Sequence, residues 1–184
     1  MAIVRKPKKK QVKKIPTTAE MEIVLAQWCT PRTNLVVPNV CWGFGIHECD
    51  LLVMTPHGYL TEVEIKISRA DLIADKKKKH GHQSDIIKLL YFAIPEKLLK
   101  DIEHIPTHAG ILVVSESSYG SYRDWKIRCE RPAEVTTHRK IDDYEKYQIA
   151  RLGALRVFGL KEKIIQLQND NVYYRERNKL YDES

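Results

Sequence analysis

The sequence predicts an α/β protein: a three-layer sandwich with a mixed central β-sheet, followed by an α-helical extension at the C-terminus. Three observations favour this fold class. Segments with strand and helix patterns alternate along residues 17–131. Two dense apolar runs, 86–94 and 109–114, are typical of central strands that are buried on both faces. Residues 141–181 are rich in charge and contain no proline, which favours helices.

The chain begins with a basic arm, residues 1–16. Seven of the 31 Lys and Arg side chains lie within the first 19 residues, which contain no acid, and the remaining 24 balance the 24 Asp and Glu. Such an excess is either a solvated arm or one that binds nucleic-acid phosphates without reading sequence, in which case affinity falls steeply with salt. In the second case we expect Lys8, Lys9 and Lys10 to contact nucleic acid.

The first helix is predicted at residues 19–29, with Thr17 or Thr18 as its N-cap. Its apolar residues share one face, as expected for a helix that packs on a sheet: Met21, Val24, Leu25 and Trp28. A short strand, 35–37, follows and ends at Pro38.

Residues 47–67 have the pattern of two strands joined by a turn. An apolar run, 51–54, precedes Pro56-His57-Gly58, which supplies the turn. The second strand alternates strictly, with apolar side chains on one face and three charged ones on the other: Glu62, Glu64 and Lys66.

A hairpin register that pairs Asp50 with Glu64 would bring two carboxylates to one divalent cation, with Lys66 beside them. Carboxylate oxygens are the ligands that hard cations such as Mg²⁺ prefer. A bound cation of this kind activates water. The alternative is a solvent-facing strand in which Lys66 only neutralises Glu64.

This spacing, Asp50 followed by thirteen residues and then Glu64-Ile65-Lys66, resembles the PD-(D/E)XK nuclease superfamily. The stretches 68–77 and 90–95 are similar to its MmcB-like DNA-repair branch. The resemblance covers roughly residues 17–116, and it departs from the motif at Cys49, where the superfamily pattern has proline.

The resemblance implies a restriction-endonuclease-like fold and a Mg²⁺- or Mn²⁺-dependent deoxyribonuclease. Asp50, Glu64 and the backbone carbonyl of Ile65 would hold the metal. Lys66 would orient the water, deprotonate it or stabilise developing charge. Relatives carry a glutamate on the first helix that reaches the metal, here Glu20 or Glu22, with a slight preference for Glu20. Two further acids, Glu62 and Glu48, would support the metal ligands or bind the metal through water.

A second helix is predicted after Ser68, its N-cap, and ends near Gly81. Its apolar stripe is expected at Ala70, Ile73 and Ala74. Arg69 is the best candidate for a phosphate contact. The lysine run is explained either by the helix C-terminus or by contact with a DNA backbone: Lys76, Lys77, Lys78 and Lys79.

The remaining elements of the domain follow in order: a strand at 86–94, a short helix at 96–105, a strand at 109–114 and an edge strand at 121–131. A helical extension, 132–184, completes the chain. Gly153 and Gly159 are expected to divide it into two helices. Its recurring apolar residues pack on the domain or on a second subunit, and a short coiled-coil homodimer is the alternative.

Composition fits a soluble protein, with 43% hydrophobic and 30% charged residues. No apolar run approaches the ~20 residues that span a bilayer, and no secretory signal is recognisable. The four cysteines lack CxxC spacing, so we expect reduced thiols and a cytoplasmic location in a bacterial or phage-infected cell. A zinc site is a less favoured alternative, because its ligands lack finger spacing: His47, Cys49, His80 and His82.

The sequence therefore predicts a metal-dependent nuclease that acts on DNA in repair, recombination or phage DNA processing. A catalytically inactive nucleic-acid-binding module of the same fold is the alternative, and an assembly factor that uses the C-terminal helices is a third hypothesis. Replacing Asp50 or Lys66 with Ala is expected to abolish cleavage and leave the fold intact.

Overall fold

The computed structural model describes residues 14–40, 44–76, 82, 84–117 and 125–182, with side chains described as far as residue 172. Most of the basic arm, including Lys8, Lys9 and Lys10, lies outside the described residues. Lys77, Lys78, Lys79 and His80 also lie outside them. The elements in chain order are α1 (Thr18–Trp28), β1 (Leu35–Val40), β2 (Cys49–Met54), β3 (Leu60–Ile65), α2 (Arg69–Asp75), β4 (Ile87–Pro95), a 3₁₀ helix (Glu96–His104), β5 (Gly110–Glu116), β6 (Trp125–Arg131) and α3 (Asp143–Asp182).

The six strands form one mixed sheet in the order β1-β2-β3-β4-β5-β6. The β3–β4 and β4–β5 pairs are parallel, and the other neighbours are antiparallel. Leu51 pairs with Val63 and Leu52 with Glu62, which is the predicted hairpin register. Continuing this register places Asp50 opposite Glu64, at the end of the pair.

Helical layers cover both faces of the sheet, so the predicted α/β sandwich is confirmed. On one face, Met21 and Leu25 of α1 pack against side chains such as Leu51 and Val63. The opposite face has two clusters. Leu72 of α2 and Leu98 of the 3₁₀ helix pack there against the buried residues of β4 and β5. Ile149 and Leu152 of α3 pack against the buried residues of β1, β2 and the start of β3.

Three predicted element boundaries are wrong. α2 ends at Asp75, before the predicted end near Gly81. β1 continues through Pro38 to Val40, which is tolerated because an edge strand has a free side where the missing N–H is not needed. α3 is continuous through Gly153 and Gly159. Each glycine costs a helix only about 1 kcal/mol relative to alanine, and no proline interrupts the 40-residue run.

The extension is joined to the domain before α3 begins. Three backbone hydrogen bonds hold residues 132–142: Glu134 N–H to the His108 carbonyl, Thr136 N–H to that of Lys88, and Ile141 N–H to that of Gly58. Gly58 has φ +80°, a conformation that favours glycine, in the turn between β2 and β3. These hydrogen bonds attach the first residues of the extension to the domain. Among the described helices, none is both long and apolar enough to cross a membrane.

Candidate active site

The candidate site lies at the end of the sheet where β2 begins and β3 ends. Regular pairing of these strands stops at Leu51 and Val63. Beyond it, the N–H of Ile65 donates to Oδ2 of Asp50 at 2.7 Å. The Asp50 carboxylate thus accepts the hydrogen bond that a backbone carbonyl would accept in a regular pair. This contact fixes the position of the carboxylate where the strands separate.

A cavity of about 450 Å³ opens at this fork, between the first turn of α1 and α2. Asp50, Ile65 and Lys66 border it from the strands. The residues from the helices and the connecting loop are Thr18, Ile67, Asp71, Ala74 and Asp75. The lining of the cavity is therefore partly polar. The cavity is large enough for a ligand bigger than a single ion.

Lys66 is buried between two carboxylates. Its Nζ lies 2.6 Å from Oε2 of Glu64 and 2.9 Å from Oδ1 of Asp75. Burial alone would lower the pKa of Lys66, but Glu64 and Asp75 together raise it well above its ordinary value. The side chain is consequently an ammonium at neutral pH, which suits charge stabilisation and does not suit a general base.

Asp75 is a site residue that the sequence did not predict. The expected inward stripe of α2 (Ala70, Ile73 and Ala74) is wrong, since Leu72 and Asp75 are the buried residues of this helix. These two are three positions apart and so share a face. One signal in the sequence could have identified Asp75. It is an acid three positions after the single leucine of a short helix, and so on the same face as that leucine.

A chain of buried charged groups continues from Asp75 into the interior. Oδ2 of Asp75 accepts from Nε2 of His82 at 2.6 Å, and Nδ1 of His82 donates to Oε1 of Glu62 at 2.7 Å. Nε2 of His47 lies 2.9 Å from both oxygens of Glu62. Glu62, which we expected to support the metal ligands or bind the metal through water, is not among the described residues that line the cavity. It lies between two imidazoles at 0% exposure.

The pKa values of this chain shift in the directions that its contacts require. Burial would lower the pKa of His82, but hydrogen bonds to Asp75 and Glu62 raise it to about 9. Burial would raise the pKa of Asp75, but His82 and Lys66 lower it. The pKa of Glu62 is likewise lowered by His47 and His82 against the effect of burial. His82 is thus an imidazolium between two carboxylates.

The structure brings together two of the four predicted zinc ligands, His47 and His82, but their shared neighbour is Glu62. Cys49 is buried, and its pKa is raised by burial and by nearby carboxylates, of which Glu62 has the largest effect. The cysteines that the structure describes, Cys29, Cys49 and Cys129, are free thiols, as predicted.

Glu20 takes part in the capping box of α1. Its carboxylate accepts from the N–H and the hydroxyl of Thr17, and it forms an ion pair with Lys14 at 3.0 Å. The hydrogen bonds of Thr17, followed by the contact with Lys14, lower the pKa of Glu20 to about 2. Among the described residues that line the cavity, α1 contributes Thr18 and not Glu20. N-terminal capping thus accounts for this acid.

The remaining predicted residues lie around the site. Glu48 is exposed, and the described cavity lining does not include it. Oε2 of Glu22 accepts a hydrogen bond from Nδ2 of Asn39 at 3.4 Å. Nε of Arg69 donates to Asp101 at 3.0 Å, while 58% of the Arg69 side chain stays exposed. Lys76 donates to the carbonyl of Glu103.

The donor set at the fork fits a hard divalent cation. Asp50, Glu64 and the carbonyl of Ile65 are all oxygen ligands, and Mg²⁺ is usually held by one or two carboxylates with waters completing its shell. The cavity has room for those waters, and its described lining includes Asp50 and Ile65 but not the buried Glu64. Glu64 already contacts Lys66, so any cation there would share this carboxylate with the ammonium.

Comparisons with known proteins establish the fold and go no further. No protein-family profile matches the chain, and no curated protein matches it. A solved structure of a protein of unknown function from Silicibacter pomeroyi is similar, with a TM-score of 0.56 and 17% identity. The match covers 80% of this chain and 90% of that chain. At this identity the similarity shows a shared α/β architecture alone.

Proposed function

We propose that the protein is a metal-dependent nuclease that hydrolyses phosphodiester bonds in DNA. The observation that carries the proposal is that Asp50 and Lys66 border one open cavity, with Glu64 buried behind them in contact with Lys66. Carboxylates and a permanently charged ammonium beside a cavity are the groups that this chemistry needs.

A Mg²⁺ or Mn²⁺ ion, held by Asp50, Glu64 and the carbonyl of Ile65, would supply a polarised phosphate and an acidified water. The protein's own groups do the rest. Lys66 stabilises negative charge that develops on the phosphate, because its pKa keeps it protonated. Asp75 positions Lys66 through the 2.9 Å contact.

DNA is the proposed partner, and the basic residues near the fork favour it. The exposed guanidinium of Arg69 lies at the start of α2, the helix that also lines the cavity. Together with Lys76 it could bind the flanking phosphates. We place the protein in repair, recombination or phage DNA processing, in the cytoplasm of a bacterial or phage-infected cell.

The test is a cleavage assay with labelled linear, nicked, single-stranded and four-way-junction DNA, in Mg²⁺ and in Mn²⁺. Asp50→Asn is the decisive variant, since the amide oxygen can still accept from Ile65 while the charge is lost. We expect cleavage to fall at least about 100-fold, because the metal's charge stabilisation amounts to several kcal/mol. Glu162→Gln, which removes an exposed carboxylate of α3, is the control and should cleave like the wild type.

Cleavage by wild type and Asp50→Asn at the same rate would refute the assignment. DNA binding by the wild type without cleavage in either metal would favour the alternative, an inactive nucleic-acid-binding module. RNA tested in parallel identifies the substrate class.

A further inference from the structure

We propose that His47, Glu62 and His82 form a second cation site, distinct from the fork at Asp50, that binds a transition metal such as Zn²⁺. The proposal does not depend on the proposed nuclease activity. It rests on the convergence of three ligand atoms, on the partner that orients one of them, and on a cavity beside them.

The ligand atoms come from three separate segments and meet in the interior. His47 precedes β2, Glu62 lies in β3, and His82 lies between α2 and β4. One ligand atom from each lies within 4.8 Å of the other two. A tetrahedral zinc site with bonds near 2.1 Å has ligand atoms roughly 3.3 Å apart. The present contacts of 2.7 and 2.9 Å would expand only slightly to admit the ion.

The surroundings of His82 resemble those of a metal ligand. Its Nδ1 points at Glu62 while its Nε2 is held by Asp75 at 2.6 Å. Histidines that bind metals usually donate their other ring N–H to a carboxylate or carbonyl, which fixes the ring and strengthens the ligand. A metal would replace the proton on Nδ1 and leave the hydrogen bond to Asp75 in place.

The backbone of His82 also indicates a constrained position. Its φ is +55°, in the left-handed region that side chains other than glycine seldom adopt, and the residue is buried. Such conformations persist where the surrounding structure holds them, and they concentrate at functional sites. Here the conformation brings an imidazole between two carboxylates.

A cavity borders one side of the cluster. Its volume is about 220 Å³, and the residues that line it are His82, Ser84, Ile87, Leu90, His108 and Thr136. It lies apart from the fork cavity, whose described lining includes none of these residues. His82 is the one proposed ligand in this lining, so the cavity approaches the cluster from the His82 side.

Two imidazoles and one carboxylate select borderline metals over Mg²⁺, which prefers oxygen ligands alone. A second group of possible ligands, Glu64, Asp75 and His82, also lies close together. Lys66 already supplies a cation to two members of that group. The group around Glu62 is therefore the better site.

The experiment is titration of the full-length, metal-free protein with Zn²⁺ in excess Mg²⁺, by calorimetry and by competition with a chromogenic chelator. The wild type should bind one Zn²⁺ per chain. His47→Gln should weaken binding at least about 100-fold, since losing even an outer partner of a ligand costs 10- to 100-fold. His57→Gln, in the exposed turn between β2 and β3, and Asp50→Asn are matched controls and should keep the wild-type affinity.

Wild-type affinity no tighter than that of His47→Gln would overturn the proposal, as would loss of binding in Asp50→Asn with retention in His47→Gln. Replacing His82 leaves Glu62 and Asp75 unbalanced and lowers stability, so a loss of Zn²⁺ binding in that variant would be ambiguous and the role of His82 is read from the wild type. Nitrogen NMR of labelled histidines should show Zn²⁺ on Nε2 of His47 and Nδ1 of His82. Zn²⁺ on other nitrogens would contradict the site.

Asp50→Asn should keep Zn²⁺ and lose cleavage, so failure of one proposal is distinguishable from failure of the other.

Discussion

Lys66 carries its charge in a nearly closed environment, with 9% of its side chain exposed and two carboxylates within 3 Å. A buried ion pair adds little net stability over an apolar replacement of both partners, but removal of one partner leaves an uncompensated charge. This distinction changes one expectation. The sequence suggested that losing Lys66 would spare the fold, whereas its burial means that Glu64 and Asp75 would lose their shared counter-ion.

We therefore predict that Lys66→Met destabilises the protein by about 3–5 kcal/mol at neutral pH. Urea unfolding followed by circular dichroism measures the change. Lys97→Met, at an exposed position of the 3₁₀ helix, should change stability by less than about 0.5 kcal/mol. A loss below about 1 kcal/mol for Lys66→Met would mean that the two acids are solvated.

A pH dependence of stability follows from His82. Its pKa rises from 6.5 to about 9 on folding, so its contribution is complete below pH 6.5 and is lost as the pH rises through 9. The lowered pKa of Asp75 acts oppositely, and its contribution is lost only in acid. In EDTA, we expect the free energy of unfolding to fall by about 2 kcal/mol between pH 6.5 and 8.5, a range that ends below the ordinary pKa of the buried thiols. His82→Gln should be less stable and should show no such decline; an unchanged decline in this variant would assign the effect to another group.

Among the elements, the hairpin β2–β3 was predictable and the inner face of α2 was not. Strict alternation after a Pro-His-Gly turn allows one register, and that register is observed. α2 is only seven residues long, so its apolar pattern is too short to define a face. The contact of Asp75 with Lys66 and His82 depends on side chains distant in sequence. Local periodicity could not reveal it.

The exposed part of α3 has an apolar repeat of its own. The repeat is uninterrupted because the helix continues through Gly159. Val157, Leu160, Ile164 and Leu167 alternate at spacings of three and four, each at least half exposed. Asn171 continues the same seam, and a single asparagine at such a position favours a two-stranded coiled coil. This repeat predicts a second copy of α3 as the partner.

We accordingly predict that the protein is a dimer in sedimentation equilibrium. Replacing Leu160 and Leu167 with Asp should make it monomeric, because both side chains lie in the seam. Ile165→Asp is the matched control, since this side chain is 57% exposed but lies off the seam. A monomeric wild type, or a monomer produced by the control alone, would contradict the coiled coil.

On the scale of the whole molecule, charge is unevenly distributed. The excess of +7 corresponds to the seven basic residues that precede Glu20, while the rest of the chain is balanced. Lys14, at the start of the described structure, is tied to Glu20. The preceding cations are the proposed contacts to DNA phosphates.

Deleting residues 1–13 should weaken DNA binding equally across sequences and leave the unfolding temperature unchanged. The slope of log affinity against log salt should decrease in magnitude by about 0.9 for each arm cation that contacts a phosphate. Fluorescence anisotropy over a series of salt concentrations measures it. Exchanging Lys8, Lys9 and Lys10 for Gln should produce part of the change, and an unaltered slope in both variants would show that the arm binds something else.

The chain can be shortened only so far before it fails to fold. The three backbone hydrogen bonds of residues 132–142 and the side chains packed after them determine that limit. A truncation after β6 would uncover Leu52, Leu60 and their neighbours, which Ile149 and Leu152 now shield from water. We expect a protein ending at residue 131 to aggregate. One ending at residue 156 should fold as a soluble monomer, since it keeps both shielding side chains and the contact of Arg156 with the Asn39 carbonyl. The sheet is thus closed on this side by the first turns of a helix whose later turns extend into solvent.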